Sequence, residues 1–469
     1  MRKRGSFLRE NKAIFLVLIV CICMLSLFAL RMPVTEWDEN AYLANARSHL
    51  GIAHYTEEFR FPLLEFMISS VWSFTGENIV VIRMMMILFY AALIYIFYLT
   101  LREFAAEKTA LIGAIAFGLS SLMVYFGFRI YTDIMALFFA MFSFYIIIIS
   151  KRSRNPMLMV SIAGFAAGLS FLSRFTMALF PIIAGAFMLK ERRFKDLLFY
   201  AGGCFAVLLP WMLYNLLVYH NPLWELLEQY KIVAQYTSPG SALAQLMNLA
   251  ANIGPLIALL VPAAIFLLKK SKKDRSKDEL KKWLWLALVY IAVYSIYITF
   301  FANIKIQRYL FAFIGFLYLV FFVGLDYMLN NWKRALNTLA VSLIICWIIA
   351  SLAITIGKIS SDIKCGDKGA KLESIKYMSE STKPGNDIIS NEWPLYGYYN
   401  NLRVHSYWAD IPTLIREHNP VFFIYNSLVG GESKKELDAY SANGVLNLEK
   451  TIYGKCNEII YIYRLKNAE

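Results

Sequence analysis

The apolar residues of this chain are gathered into about eleven runs of roughly 17 to 25 residues, the length at which a helix crosses a ~30 Å hydrocarbon layer. The runs lie near Ala13 to Leu30, Ile79 to Leu101, Thr109 to Tyr125, Ile130 to Ser150, Met157 to Leu172, Phe175 to Leu189, Leu197 to Tyr219, Ala250 to Leu268, Trp283 to Phe301, Tyr309 to Leu329 and Ala335 to Ile356. Hydrophobic residues make up 59% of the 469 positions and charged residues 17%, against about a quarter charged in a soluble domain. One soluble core cannot bury that excess. The fold expected is therefore a polytopic all-α membrane domain. Ser173 and Arg174 would be costly at a bilayer centre, so the Met157 to Leu189 region reads as two short spans. The first run follows Met1-Arg2-Lys3-Arg4. No small-residue cleavage pattern follows it and Arg31-Met32-Pro33 is a poor processing site, so it reads as a retained helix.

Orientation follows from the lysines and arginines of the short loops. Alternate loops are basic: Arg2 to Lys12, Arg102 to Lys108, Lys151 to Arg154, Lys190 to Lys195, Lys269 to Lys282, and Lys333-Arg334. These are expected in the cytoplasm, with the N-terminus, and the chain then ends outside. The net charge of +14 reports this topology and contact with anionic lipid, and gives no support for nucleic-acid binding. Lysine-rich cytoplasmic loops suit a prokaryotic plasma membrane, bacterial or archaeal.

From about Gly357 onward the hydrophobic runs shorten, leaving about 110 residues, enough for one small domain. The expected division is 1–356 for the membrane domain, with its first outer loop at 32–78, and 357–469 for a soluble extracytoplasmic domain. Runs at Asp387 to Ser390, Val421 to Tyr425 and Ile459 to Tyr463 read as strands, and Lys368 to Ser379 and Ile411 to His418 as helices, which makes the tail a small α/β domain. Cys21, Cys23, Cys204 and Cys346 lie within spans as small apolar residues. Cys365 and Cys456 both fall in the tail, where oxidation can pair them; the sequence leaves paired and free states open.

The unusual polar residues collect in the outer loops. Trp37-Asp38-Glu39-Asn40-Ala41-Tyr42 sets two adjacent acids just after the first span. They are either solvated loop acids, with Asp38 capping a helix over Ala41 to Leu50, or Asp38 is a general base or metal ligand that takes a hydroxyl proton. Asp133, at the outer start of the fourth span, is a functional candidate by its depth, or else an ion-pair partner of Arg129 or a helix-dipole acid. The complementary cations are Arg60, Arg83, Arg174, Lys305 and Arg308. The planar donor fork of arginine suits phosphate oxygens, although any one of these can also be a snorkelling helix-end residue. There is no phosphate-cradling Gly-rich loop, no zinc-type Cys/His spacing and no nucleophile elbow, so a nucleotide-driven pump is disfavoured.

These residues resemble the membrane glycosyltransferases of the C-type fold, in particular the protein mannosyltransferase and lipid A aminoarabinose transferase group. The resemblance is carried by Asp38-Glu39 with Tyr42, by Arg60-Phe61-Pro62-Leu63, by Arg83, by Tyr131-Thr132-Asp133, by Gly164 to Arg174, and by Arg308-Tyr309. It implies a polyprenyl-phosphate-linked sugar donor, displaced with inversion at its anomeric carbon by an acceptor hydroxyl on a protein, glycan or lipid. By the same resemblance Asp38 is the catalytic base, with Glu39 and Asp133 orienting acceptor or donor. Arg60, Arg174 and Arg308 would meet the departing lipid phosphate, while Tyr42, Arg83, Tyr131 and Tyr309 would contact substrate. It leaves open whether a divalent metal is required, since C-type relatives differ in this. Arg60 stands where lysine is frequent in that group, and Phe61 where a second proline is found. The alternatives from other classes are a transporter or flippase of lipid-linked sugars, which often shows internal repeats and midplane charges, and a silent membrane scaffold in which Asp38 is replaceable.

Overall fold

The computed structural model describes residues 11–235, 242–269, 275–301, 306–366, 369–407, 409–430 and 433–466. Most of the basic stretches at residues 1–12 and 269–275, together with Lys305, lie outside the described residues. Among the described residues nine helices are long and apolar enough to cross a membrane, so the chain is a multi-pass membrane protein. Nine of the expected runs correspond to these helices. The other two are shorter. Phe175 to Leu189 is a 3-10 turn, Phe175–Ala178, followed by the helix Leu179–Lys190. Thr109 to Tyr125, expected as one span, is broken into Glu107–Gly118 and Ser121–Phe126. The break stands because its freed carbonyls find donors: Ser120 Oγ bonds the Phe117 carbonyl at 2.7 Å and Tyr90 Oη bonds that of Gly118 at 2.8 Å, which apolar surroundings demand.

The chain forms two compact units. The first comprises Met1–Leu27, Phe61–Leu63 and Arg83–Ile356. Within it the helix Phe311–Asn331 is apolar on all sides and buried along nearly its whole length, as expected of a helix enclosed by its neighbours. The helices Pro156–Ser173 and Phe194–Tyr219 approach closely enough that a Cβ on Gly164 would lie 1.9 Å from the Tyr200 carbonyl oxygen, and one on Gly203 would lie 2.0 Å from that of Ser161. Small residues permit such contact between membrane helices, so the glycines of the Gly164 to Arg174 stretch have a packing role. That packing fixes the helix whose end carries Arg174. Phe61 sits in an aromatic box with Phe171, Phe175 and Trp211.

The second unit comprises Phe28–Arg60, Leu64–Ile82 and Gly357–Glu469. Its sheet has the order β2-β1-β3-β5-β4, with β1 Asp387–Ser390, β2 Arg403–His405, β3 Phe422–Asn426, β4 Leu446–Tyr453 and β5 Ile459–Leu465. β1 pairs in parallel with β2 and β3, while β5 is antiparallel to β3 and β4. The expected strands are β1, β3 and β5; the sequence reading omits β2 and β4. β2 has three residues, too few to show alternation. β4 is an edge strand interrupted by a register shift between Leu448 and Lys450, so its apolar period is broken. Cys365, in the last turn of the helix Arg334–Gly366, and Cys456, in the turn between β4 and β5, form a disulfide.

Candidate functional site

In the second unit the helix Trp37–His49 begins with a reciprocal cap. Glu36 is the N-cap residue, and the Glu39 carboxylate accepts the Glu36 backbone N–H at 2.8 Å, which satisfies donors a helix start would otherwise leave open. Asp38 is therefore inside the helix and does not cap it, contrary to one expectation above. Freed from capping, its side chain stays 27% exposed and one oxygen lies 3.0 Å from Arg60 Nη2. Arg60 is buried, its guanidinium 5.0 Å from the centre of the Tyr42 ring, and its Nε is bound to Glu57. Burial opposes the Arg60 charge, but Glu57 and Asp38 outweigh it and hold its pKa well above the ordinary arginine value.

Glu57, which the sequence reading passed over, organises this cluster. Its carboxylate accepts from Tyr55 Oη at 2.6 Å and Trp393 Nε1 at 3.0 Å, besides Arg60. Its backbone is held by the Asn45 amide, which accepts the Glu57 N–H at 2.8 Å and donates to the Glu57 carbonyl at 2.9 Å. The only trace in sequence is the three-residue spacing from Glu57 to Arg60, a spacing common to many loop acids. The cluster thus joins two carboxylates to one guanidinium.

In the first unit three helix ends converge. Asp133 is the second residue of the helix Thr132–Ser150 and is 0% exposed. Arg174 caps the C-terminal end of Pro156–Ser173, and Arg308 lies in the 3-10 turn Gln307–Leu310 before the helix that begins at Phe311. Arg308 reaches one Asp133 oxygen with both Nε, at 3.0 Å, and Nη2, at 2.9 Å. Arg174 Nη1 lies 2.5 Å from the other oxygen, close enough for an ion pair though that oxygen has no aligned hydrogen bond. The rings of Tyr131 and Tyr309 lie 4.0 Å from the Arg308 guanidinium and 5.5 Å from that of Arg174, where cation–π attraction operates. Two guanidiniums thus share one carboxylate.

Of the residues singled out from sequence, Asp38, Tyr42 and Arg60 thus stand together, and Asp133, Arg174, Arg308, Tyr131 and Tyr309 form a second group. Glu39 is engaged in the helix cap, and Arg83 is buried in the second turn of the helix Ile79–Phe104. Arg129, considered above as a partner for Asp133, has its guanidinium 4.2 Å from the centre of the Tyr125 ring. Among the described residues no group of three or more His, Cys, Asp or Glu side chains could hold a metal ion.

Compared with curated proteins by sequence, the chain matches none. Compared by structure, it resembles ArnT from Cupriavidus metallidurans bound to undecaprenyl phosphate, at 10% identity and a TM-score of 0.69 over 97% of this chain and 98% of that one. It also resembles the archaeal oligosaccharyltransferase AglB from Archaeoglobus fulgidus, in complex with an inhibitory peptide and a dolichol-phosphate, at 11% identity and a TM-score of 0.58 over 94% and 71% of the two chains. The arabinofuranosyltransferase AftD from Mycobacteria matches at 12% identity and a TM-score of 0.57, over 96% of this chain but 40% of that longer one. Residues 60–214 match the sequence profile of the dolichyl-phosphate-mannose-protein mannosyltransferase family. Membrane helices, C-terminal sheet and profile match agree with the resemblance drawn from the motifs: the chain has the fold of the C-type membrane glycosyltransferases.

Proposed function

We propose that this chain is an inverting glycosyltransferase that moves a sugar from a polyprenyl-phosphate donor to an acceptor hydroxyl on the extracytoplasmic face of the plasma membrane. The observation that carries the reading is the Asp133–Arg174–Arg308 group, in which a half-buried arginine pair shares one fully buried carboxylate. Its paired positive charges and planar donors suit a lipid phosphate, and ArnT, similar in fold along nearly its whole length, was solved with undecaprenyl phosphate bound. In this reading the acceptor oxygen attacks the anomeric carbon and gives its proton to Asp38. The anomeric C–O bond to phosphate breaks on the opposite face, and the polyprenyl phosphate departs with that electron pair. Arg174 and Arg308 stabilise the charge that develops on the leaving group, where fixed donors contribute most to rate. Asp133 orients both guanidiniums. Arg60 holds the Asp38 carboxylate in place, and Tyr42, Tyr131 and Tyr309 pack against the arginines. The basic alternate loops support a cytoplasmic N-terminus and an extracytoplasmic C-terminal domain.

Transfer from a radiolabelled pool of polyprenyl-phosphate sugars in membranes, compared between wild type and Asp38→Asn at matched expression, tests the reading. Transfer by wild type, and its loss in the variant with undecaprenyl phosphate binding retained, is the expected result. Equal transfer by both removes Asp38 from the mechanism. No transfer by either across a broad donor set favours a flippase of lipid-linked sugars.

A further inference from the structure

In the C-terminal sheet β1 lies between β2 and β3, all parallel. The chain leaves β1 for one side and later returns on the other, so the carboxyl ends of β1 and β3 flank the switch point at which open α/β sheets take ligands. In this domain its own side chains occupy that position. Asn426, at the end of β3, donates from Nδ2 to Glu392 and to Glu458, each at 2.8 Å. Asn391 accepts the Asn426 backbone N–H at 2.7 Å and donates to its carbonyl at 2.9 Å. Lys371 pairs with Glu392; burial opposes its charge, but Glu392 outweighs burial and raises its pKa. Asn391, Glu392, Asn426 and Glu458 are buried and bonded through Asn426, and such networks fix geometry. Trp393 is the next residue in the chain. Its ring meets that of Trp37 edge-on with centroids 4.4 Å apart, and its Nε1 donates to Glu57.

We infer that Trp393 and Glu57 are positioning residues that set the basicity of Asp38 through Arg60, which makes the C-terminal domain part of the proton-accepting apparatus. The inference rests on the reading of Asp38 as the base. Arg60 divides its guanidinium between Glu57 and Asp38. A guanidinium given wholly to Asp38 would hold that carboxylate ionised and make it a poor proton acceptor, because an adjacent cation lowers a carboxylate pKa. Glu57 draws part of the guanidinium away, and its negative charge works in the same sense. Trp393 and Tyr55 in turn satisfy Glu57 and moderate its pull. Arg60 is faced by Glu57, Asp38 and Tyr42, Tyr55 by Glu57 and Arg60, and Lys371 by Glu392, Glu458 and Glu36.

The test is the pH dependence of kcat for the full-length protein in lipid nanodiscs, with radiolabelled undecaprenyl-phosphate sugars extracted from bacterial membranes as donor and the same extract supplying acceptor. Glu57→Gln keeps the side-chain shape and removes the charge. Its acid limb is expected to move down by about one pH unit, with a lower plateau and an unchanged donor KM. Trp393→Phe keeps the ring against Trp37 and removes the donor to Glu57. Glu57 then pulls harder on Arg60, and the acid limb is expected to move the other way, up by about 0.3 unit. Opposite movements separate positioning from a general loss of structure, and thermal unfolding of each variant is measured alongside. If Glu57→Gln does not fold, the direction of the Trp393→Phe limb decides. Acid limbs that stay at the wild-type pH, with Asp38→Asn inactive, overturn the positioning role and leave the proposed reaction standing. An active Asp38→Asn overturns the reaction and this inference together.

Discussion

The two charged clusters are built from the same residue types with opposite arithmetic. In the second unit two carboxylates, Asp38 and Glu57, share Arg60; in the first, two arginines, 174 and 308, share Asp133. Each places its minority charge between two partners, so each is held by ion pairs on both sides. A carboxylate that is partly exposed can take a proton. A pair of guanidiniums can hold a phosphate. The proposed reaction needs one of each.

The largest effect expected from breaking this contrast is at Asp38. Asp38→Asn keeps an oxygen for Arg60 but cannot accept a proton, and should lower kcat by about 10²- to 10⁴-fold, the usual contribution of a general base. Binding of undecaprenyl phosphate, measured directly, should be unchanged. The corresponding change in the other cluster should have the reverse signature. Asp133→Asn removes the one buried charge between two half-buried guanidiniums, which destabilises by up to about 3 kcal/mol. Its thermal unfolding temperature should fall, and undecaprenyl phosphate should restore more of the lost stability than it adds to wild type, because the ligand supplies the missing anion. If Asp133→Asn instead unfolds at the wild-type temperature and gains no extra stability from undecaprenyl phosphate, Asp133 is not the counter-charge of the arginine pair and the contrast between the clusters is wrong.

A smaller effect concerns the frame around the first cluster. The Cys365–Cys456 bond closes a loop with a sequence separation of 91, and removing a native disulfide of this kind costs about 2–4 kcal/mol. Cys365→Ser with Cys456→Ser should lower the unfolding temperature of the C-terminal domain. Because Glu57 receives Trp393 from that domain, the acid limb of kcat should also shift toward that of Trp393→Phe as the domain loosens. Labelling of both thiols in unreduced wild-type protein would show that the bond is absent.

How much of this was legible in the sequence depended on the range of the interactions. Span length and loop charge are properties of contiguous residues, and nine of the expected helices follow from them. The break at Leu119-Ser120 was hidden because it is stabilised by Tyr90, a residue of another helix. The candidate acids and arginines could be named because ionisable groups at membrane boundaries are rare, yet their pairing could not. Asp133 had a local partner in view, Arg129, while the structure gives it Arg174 and Arg308, distant in sequence. Glu57 was invisible for the same reason: two of its donors, Tyr55 and Arg60, are near neighbours, but the third comes from residue 393. The edge strand β4 failed for a different cause, since its bulge and exposed face erase the alternation by which strands are recognised.

The smallest effect is the most specific. Arg308 reaches a single Asp133 oxygen with two nitrogens of its fork, while its ring partner Tyr131 lies 4.0 Å from the guanidinium carbon. Lysine preserves the charge but has neither the fork nor the planar face. Arg308→Lys should therefore keep the fold and weaken undecaprenyl phosphate binding by about tenfold, the equivalent of one charge-assisted hydrogen bond. The acid limb of kcat should not move, because the proton acceptor belongs to the other cluster. An Arg308→Lys variant that binds the lipid phosphate as tightly as wild type would mean that charge alone holds the ligand. The fork would then serve only Asp133, and phosphate recognition would rest on the positive charge of the pair and not on its planar donors.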